Sequence, residues 1–279
     1  MEKILAIIPA RNEEKYIGLT IRALGRQKPK PSMIVVVNDG STDKTEEVSI
    51  EALEEIKVKY KIVNRKDRGV SAISQPILAL VYNDGFKEAD LEKYDYLLIN
   101  GADSLLEDNY LETILKHFKN HPNLVITSGA IPNEKINIGH VHGSAGRVYR
   151  MEFFRETCKG KYDVGYAWES IPLYKGKVQG KLVRHYNTPI VHHLRPRNTN
   201  APVIAYFYRG IAKREVGYWF VYVLRLSLHA IKRYKRLKAG ILLIVGFLTF
   251  TTDRYHIYGL KELQKKRFIN KIKVRLRLI

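Results

Sequence analysis

The stretch YDYLLINGADSLL, residues 94–106, constrains this chain more than any other. Apolar and aromatic residues run straight into Asn100, Gly101, Ala102 and Asp103, the pattern of a buried strand that delivers a carboxylate at its carboxyl edge. Two earlier runs share that pattern. Residues 4–8 are continuously apolar and close on Pro9, after which Arg11, Asn12, Glu13 and Glu14 open a helical pattern with Ile17, Ile21 and Leu24 on one face. Residues 33–37 are again apolar and end in Asn38, Asp39, Gly40, Ser41, Thr42 and Asp43, with a helical span at 45–56 for which Asp43 is the expected N-cap. Strand then helix, twice over, predicts consecutive βα units of a parallel sheet.

The same grammar continues to about residue 195. A third strand is expected at 58–63 and a polar loop at 64–69, and Pro76 argues against one straight helix across 70–86. The central strand at 94–99 leads to an amphipathic helix at 108–118 with Tyr110, Leu111, Ile114, Leu115 and Phe118 inward, then a strand at 124–128. Short strands follow at 181–186 and 190–193. Between them, residues 131–148 loosen into a Gly-rich stretch, expected to line a site or close over it, where His140 and His142 have strand spacing but no nearby third ligand. The fold class expected is α/β, a doubly wound and mostly parallel sheet with ligands at the carboxyl ends of its strands.

The order IIPARNEE, then VVVNDGSTDKT, then a loop with Gly69 and Ala72, then a strand ending at Asp103, resembles glycosyltransferase family 2 with its GT-A nucleotide-sugar fold, over roughly residues 3–195. The resemblance implies that Pro9, Ala10, Arg11 and Glu13 form the turn that embraces a nucleotide, with Gly69 in the facing loop. Asp39 matches the acid that pairs with the nucleobase edge, and a scaffold-fixed carboxylate accepts an imino N–H well. Read alone, Asp39 suits equally an Asx turn shaping Gly40. Asp103 matches the last acid of a D-x-D element that holds Mn²⁺ or Mg²⁺ against the donor diphosphate, but here the element reads Gly101-Ala102-Asp103. Of His192 and His193, where the family often carries a histidine near the diphosphate, His193 is nearer the arginines and joins Asp103 as the metal-side candidate; histidine and arginines there would also bind phosphate directly. Residues 166–170, YAWES, with Leu173, resemble the acidic motif of the acceptor edge. Ser170 stands where an aspartate is usual, so Glu169 is the candidate catalytic base, with Asp163 second.

Charge bears on location. Residues 201–279 hold 18 Lys and Arg against 3 Asp and Glu, most of the net charge of +20. That basic tail alternates with wide apolar runs, which favours an anionic membrane surface over nucleic acid. The apolar run at 239–252 falls short of the ~20 residues a spanning helix needs, so helices lying in the interface are expected. A single cysteine, Cys158, permits no internal disulfide, and charge appears at once after Met1, so a cytoplasmic location without a secretory leader is expected. The domain expectation is a catalytic domain at 1–198, its nucleotide-sugar half about 1–105 and its acceptor half about 106–198, followed by a basic amphipathic helical region at 199–279. Together these readings describe an inverting glycosyltransferase moving a sugar from a nucleoside-diphosphate sugar to a hydroxyl of a lipid-linked or polysaccharide acceptor, peripheral to the cell membrane. Gly101 and Ser170 leave a second reading open, a catalytically degenerate GT-A protein that binds membrane or nucleic acid.

Overall fold

The computed structural model describes residues 2–69, 76–132, 141–195, 202–234, 237–249 and 255–275; Ala72 and His140, singled out above, lie outside them. The chain divides into two compact units, Met1–Tyr162 with Gly180–Arg197, and Asp163–Gln179 with Asn198–Ile279.

The first unit carries the sheet. Its strands are β1 (Ile4–Ala10), β2 (Met33–Asn38), β3 (Tyr60–Asn64), β4 (Tyr96–Ile99), β5 (Ser104–Leu106), β6 (Leu124–Ala130), β7 (Arg147–Arg150) and β8 (Leu182–His193). They lie in the order β3-β2-β1-β4-β7-β6-β8-β5. Helices α1 (Ile17–Gly25), α2 (Thr45–Ile56) and α3 (Ile77–Lys87) connect the parallel half, β3-β2-β1-β4, as the expected βα units. Beyond β4 the sheet is mixed: β7 pairs antiparallel with both β4 and β6, β8 parallel with β6, and β5 antiparallel with β8.

Local chemistry explains these elements. Every residue of β2 is buried, as a parallel strand covered on both faces requires. Pro76 stands just before α3, where its missing N–H costs nothing; residues 70–75, the rest of that expected segment, lie outside the described residues. The N-cap of α2 is Lys44 rather than the expected Asp43, which stands one residue earlier and accepts the Thr45 N–H at 3.0 Å. Helix α4 (Tyr110–Asn120) buries Tyr110, Leu111, Ile114, Leu115 and Phe118 on one face, as its spacing predicts. Each such fully buried side chain contributes about 1.5–3 kcal/mol. The two short strands expected at 181–186 and 190–193 are one strand, β8, carried past an irregularity in its pairing with β6. β5, β7 and α5 (Met151–Cys158) have no counterpart in the sequence reading.

The second unit is helical: α6 (Ile171–Val178), α7 (Ile204–Glu215), α8 (Phe220–Tyr234), α9 (Leu237–Leu248) and α10 (Leu260–Arg275). Asp163–Gln179, part of the expected acceptor half, belongs here because Ala167, Ile171 and Tyr174 share an apolar cluster with Ala212, Val216, Ile257 and Leu260. Among the described residues no helix is long and apolar enough to cross a membrane.

Tyr110 ties three pieces of the first unit together. Its buried hydroxyl donates to Gly146 O at 2.6 Å and accepts from Gly129 N at 2.7 Å. Tyr110→Phe removes the one hydroxyl that pairs with both groups, and the stranded Gly129 N–H and Gly146 C=O should cost about 2–4 kcal/mol, read as a lower urea midpoint at unchanged slope.

Candidate active site

The carboxyl ends of β2, β1 and β4 lie side by side because β1 pairs with both neighbours, Ala10 opposite Asn38 and Ile7 opposite Ile99. The residues just beyond those ends, Asp39, Glu13 and Asp103, therefore share one edge of the sheet. Pro9 and Ala10 form the end of β1, opposite Val37 and Asn38, and contribute backbone to that edge.

At the β2 side the polar groups are tightly paired. Asp39 N donates to Ala10 O at 2.8 Å. Arg11 donates through Nη1 to Asp39 O at 2.5 Å and Gly40 O at 3.1 Å, and through Nη2 to Asp67 Oδ1 at 2.6 Å. That hydrogen bond to Arg11 holds the Asp67 carboxyl below the usual range. Gly40 has φ +69°, and a Cβ there would sit 2.5 Å from Asp67 Cα, so a side chain is excluded twice over. The Asp39 carboxylate is 3% exposed as a residue and accepts the fork of Arg68, Nη1 at 2.7 Å and Nη2 on the other oxygen, while Arg65 Nε stands 3.0 Å from Oδ1. Gly69, φ +71°, follows in the same loop and its N–H donates to Asp67 Oδ1 at 2.9 Å.

The β4 side has a different centre. Glu13, expected with the nucleotide turn, joins Asp103 through a shared partner: Arg195 donates through Nε to Asp103 Oδ2 at 2.7 Å and through Nη2 to Glu13 Oε1. The guanidinium carbon lies 5.3 Å from the centre of the Tyr16 ring. Burial pushes the Glu13 carboxyl up against the opposing pull of Arg195, and among the described residues its buried Oε2 has no hydrogen-bond partner. Burial also pulls the Arg195 guanidinium down, but its bonds to Glu13 and Asp103 outweigh that and raise it. His193 pairs with Ser104 across β5 and β8, its Nδ1 3.5 Å from Ser104 Oγ. His192 points to the other face, 3.9 Å from Glu107, because successive strand residues alternate.

Glu169 lies in the second unit, half-buried in the turn before α6, with Ser170 at the helix N-cap. Asp163, the second candidate, pairs with Lys175 at 3.1 Å. Arg65, Arg68, Asp67, Tyr16 and the bridging role of Arg195 escaped the sequence reading; the alternating charges of NRKDRG at 64–69 and the arginines after His193 were their only signal. A separate 730 Å³ cleft, lined by Glu2, Glu92, Asp95, Arg150 and Arg155 among others, opens at the amino end of β4, away from this edge.

The sequence model of the family described as glycosyl transferase family 2 matches residues 5–179. This chain belongs to that family. The chain is 30% identical over 115 residues to glycosyltransferase GlyA of Streptococcus pneumoniae, covering 41% of this chain but only 15% of GlyA. Its fold is similar to that of the mannosyltransferase PcManGT from Pyrobaculum calidifontis in complex with GDP-Man and Mn²⁺, at TM-score 0.58 and 15% identity, covering 90% of this chain and 77% of that one. It is similar too to Staphylococcus aureus TarS 1-349 in complex with UDP-GlcNAc, at TM-score 0.56 and 15% identity, covering 75% and 65%. The GT-A architecture expected from the sequence is therefore the one present.

The expected Mn²⁺ or Mg²⁺ on Asp103 and His193 meets a donor set that does not fit it. Gly101 brings no carboxylate, Asp103 Oδ2 and Glu13 Oε1 are taken by Arg195, and among the described residues no three His, Cys, Asp or Glu side chains converge. On the β2 side, Asp39→Ala strands the Arg68 guanidinium, whose side chain is 19% exposed, while Arg65 keeps its pair with Asp84, and should lower stability by about 1–3 kcal/mol, measured by urea unfolding.

Proposed function

We propose that this family 2 protein is an inverting glycosyltransferase that moves a sugar from a nucleoside-diphosphate sugar to a hydroxyl of a lipid-linked or polysaccharide acceptor at an anionic membrane surface. The observation that carries the reading is the carboxyl edge of β2, β1 and β4, where Asp39, Glu13 and Asp103 stand with Arg11, Arg65, Arg68 and Arg195. A nucleotide needs hydrogen-bonding groups fixed by the scaffold at one end and cations at the other. Neighbouring strand ends supply both along one edge. The solved relatives carrying GDP-Man and UDP-GlcNAc support the choice of donor class.

Inversion follows from a single displacement, in which the acceptor oxygen strikes the anomeric carbon from the face opposite the leaving diphosphate. The attacking hydroxyl needs a base, and Glu169 is the carboxylate whose motif suits that role.

The membrane part of the reading rests on the second unit. Leu237, Ile241, Val245 and Leu248 make an exposed stripe along α9, and Leu224 and Leu228 another on α8, where Leu228 is 67% exposed. Lys232 and Lys238 lie on the same two helices. Apolar stripes flanked by lysine suit a helix lying in an anionic interface. Co-sedimentation with anionic vesicles should persist at high salt and drop for Leu228→Glu or Leu237→Glu; binding to DNA instead, lost steeply with salt, would overturn this part.

A thermal-shift series with UDP, GDP, dTDP and CMP tests the catalytic part, since a ligand of the folded state raises the melting temperature by mass action. One nucleotide should shift it, and Asp39→Ala should shrink that shift. Glu169→Gln should keep the shift and lower transfer about 10²–10⁴-fold; transfer retained by that variant removes Glu169 as base.

A further inference from the structure

We propose that the Arg195 guanidinium, clamped between Glu13 and Asp103, takes the place of a divalent ion and meets the donor's diphosphate, so that transfer is independent of metal. The proposal rests on the nucleotide-sugar reading above and names the cation of that same site.

The backbone carries Arg195 to this position. Strand β8 runs antiparallel to β5 with Ser104 opposite His193, and Leu194 N donates to Asp103 O at 2.9 Å. The next residue is thereby held against the Asp103 side chain. Its guanidinium is then oriented by Asp103 at Nε, Glu13 at Nη2 and the Tyr16 ring face. Of its five N–H groups these bonds use two, and among the described residues none engages Nη1. The side chain is 39% exposed, so the remaining donors are within reach of a ligand.

Among the described residues the side chains do not make up an ion site of the family's kind. The first acid of the D-x-D element is Gly101, and a Cβ built there would stand 3.1 Å from Ser144 O and 3.2 Å from Asp103 Oδ1, tighter than side chains ordinarily sit. The two carboxylates that could have served, Glu13 and Asp103, are engaged with the arginine. A guanidinium supplies half the charge of a divalent ion, but its planar fork matches phosphate oxygens and it is more weakly hydrated than an ammonium.

In the step itself, the bond between the sugar's anomeric carbon and the β-phosphate oxygen breaks, its electron pair passing to that oxygen. The acceptor oxygen bonds the anomeric carbon and its proton passes to the carboxylate base. The diphosphate leaves with one more negative charge, and Arg195 offsets the charge as it develops.

Calorimetric titration with UDP, GDP and dTDP, in EDTA and then in excess Mn²⁺ or Mg²⁺, tests this on the unmodified chain. Binding in EDTA should equal binding with metal within about twofold. Arg195→Ala should weaken the EDTA binding about 10–100-fold, and Arg195→Lys, which keeps charge but loses the fork, by an intermediate factor; a melting curve for each variant reports folding separately. Binding by the unmodified chain only when metal is present, or Arg195→Ala binding as tightly as it does, overturns the proposal while the nucleotide-sugar reading stands. No diphosphate binding in any condition removes that reading and this proposal with it.

Discussion

Burial of β1 between β2 and β4 is the constraint on which the rest of the first unit depends. Ile4, Leu5, Ala6, Ile7 and Ile8 are wholly buried, and both flanking strands are buried as well. Such strands satisfy their backbone groups in the ladder and leave no room for polar side chains along their length. Charged residues can enter only where the strands end. Parallel pairing brings three of those ends together, so Asp39, Glu13 and Asp103 become neighbours though the sequence separates them widely.

Crowding carboxylates on one edge has an electrostatic consequence. An unpaired carboxylate taken out of water is costly, and a like charge beside it raises the cost further. The structure answers with arginines: Arg68 and Arg65 on Asp39, Arg11 on Asp67, Arg195 on Glu13 and Asp103. These pairs differ from the exposed lysine pairs of the surface, such as Lys116 with Glu112, which contribute little. Each also fixes a loop, the 64–69 loop against β2 and the end of β8 against Asp103. The same pairs that neutralise the carboxylates leave guanidinium groups along that edge.

Much of the first unit was legible in residue order. The runs at 4–8, 33–37 and 94–99 read as buried strands because each is uninterrupted and bounded by polar punctuation, and α4 read correctly because its apolar residues recur at helical spacing. β5 and β7 did not, since strands of three and four residues carry too little periodicity and exist through partners far along the chain. His192 and His193 were indistinguishable in sequence; the pleat of β8 decided which of them faces Ser104.

Residue order was enough for the parallel half of the sheet, the family, and the carboxylates that end its strands, because those features are local and repeat a short pattern. Folding in three dimensions is what closes Arg68 on Asp39, gives Glu13 and Asp103 a shared Arg195, and packs Asp163–Gln179 with the C-terminal helices. Glu13 and Arg195 are 182 residues apart, and no spacing rule spans that separation. Their meeting depends on the register of β5 with β8 and of β1 with β4, which is set by packing of the whole sheet.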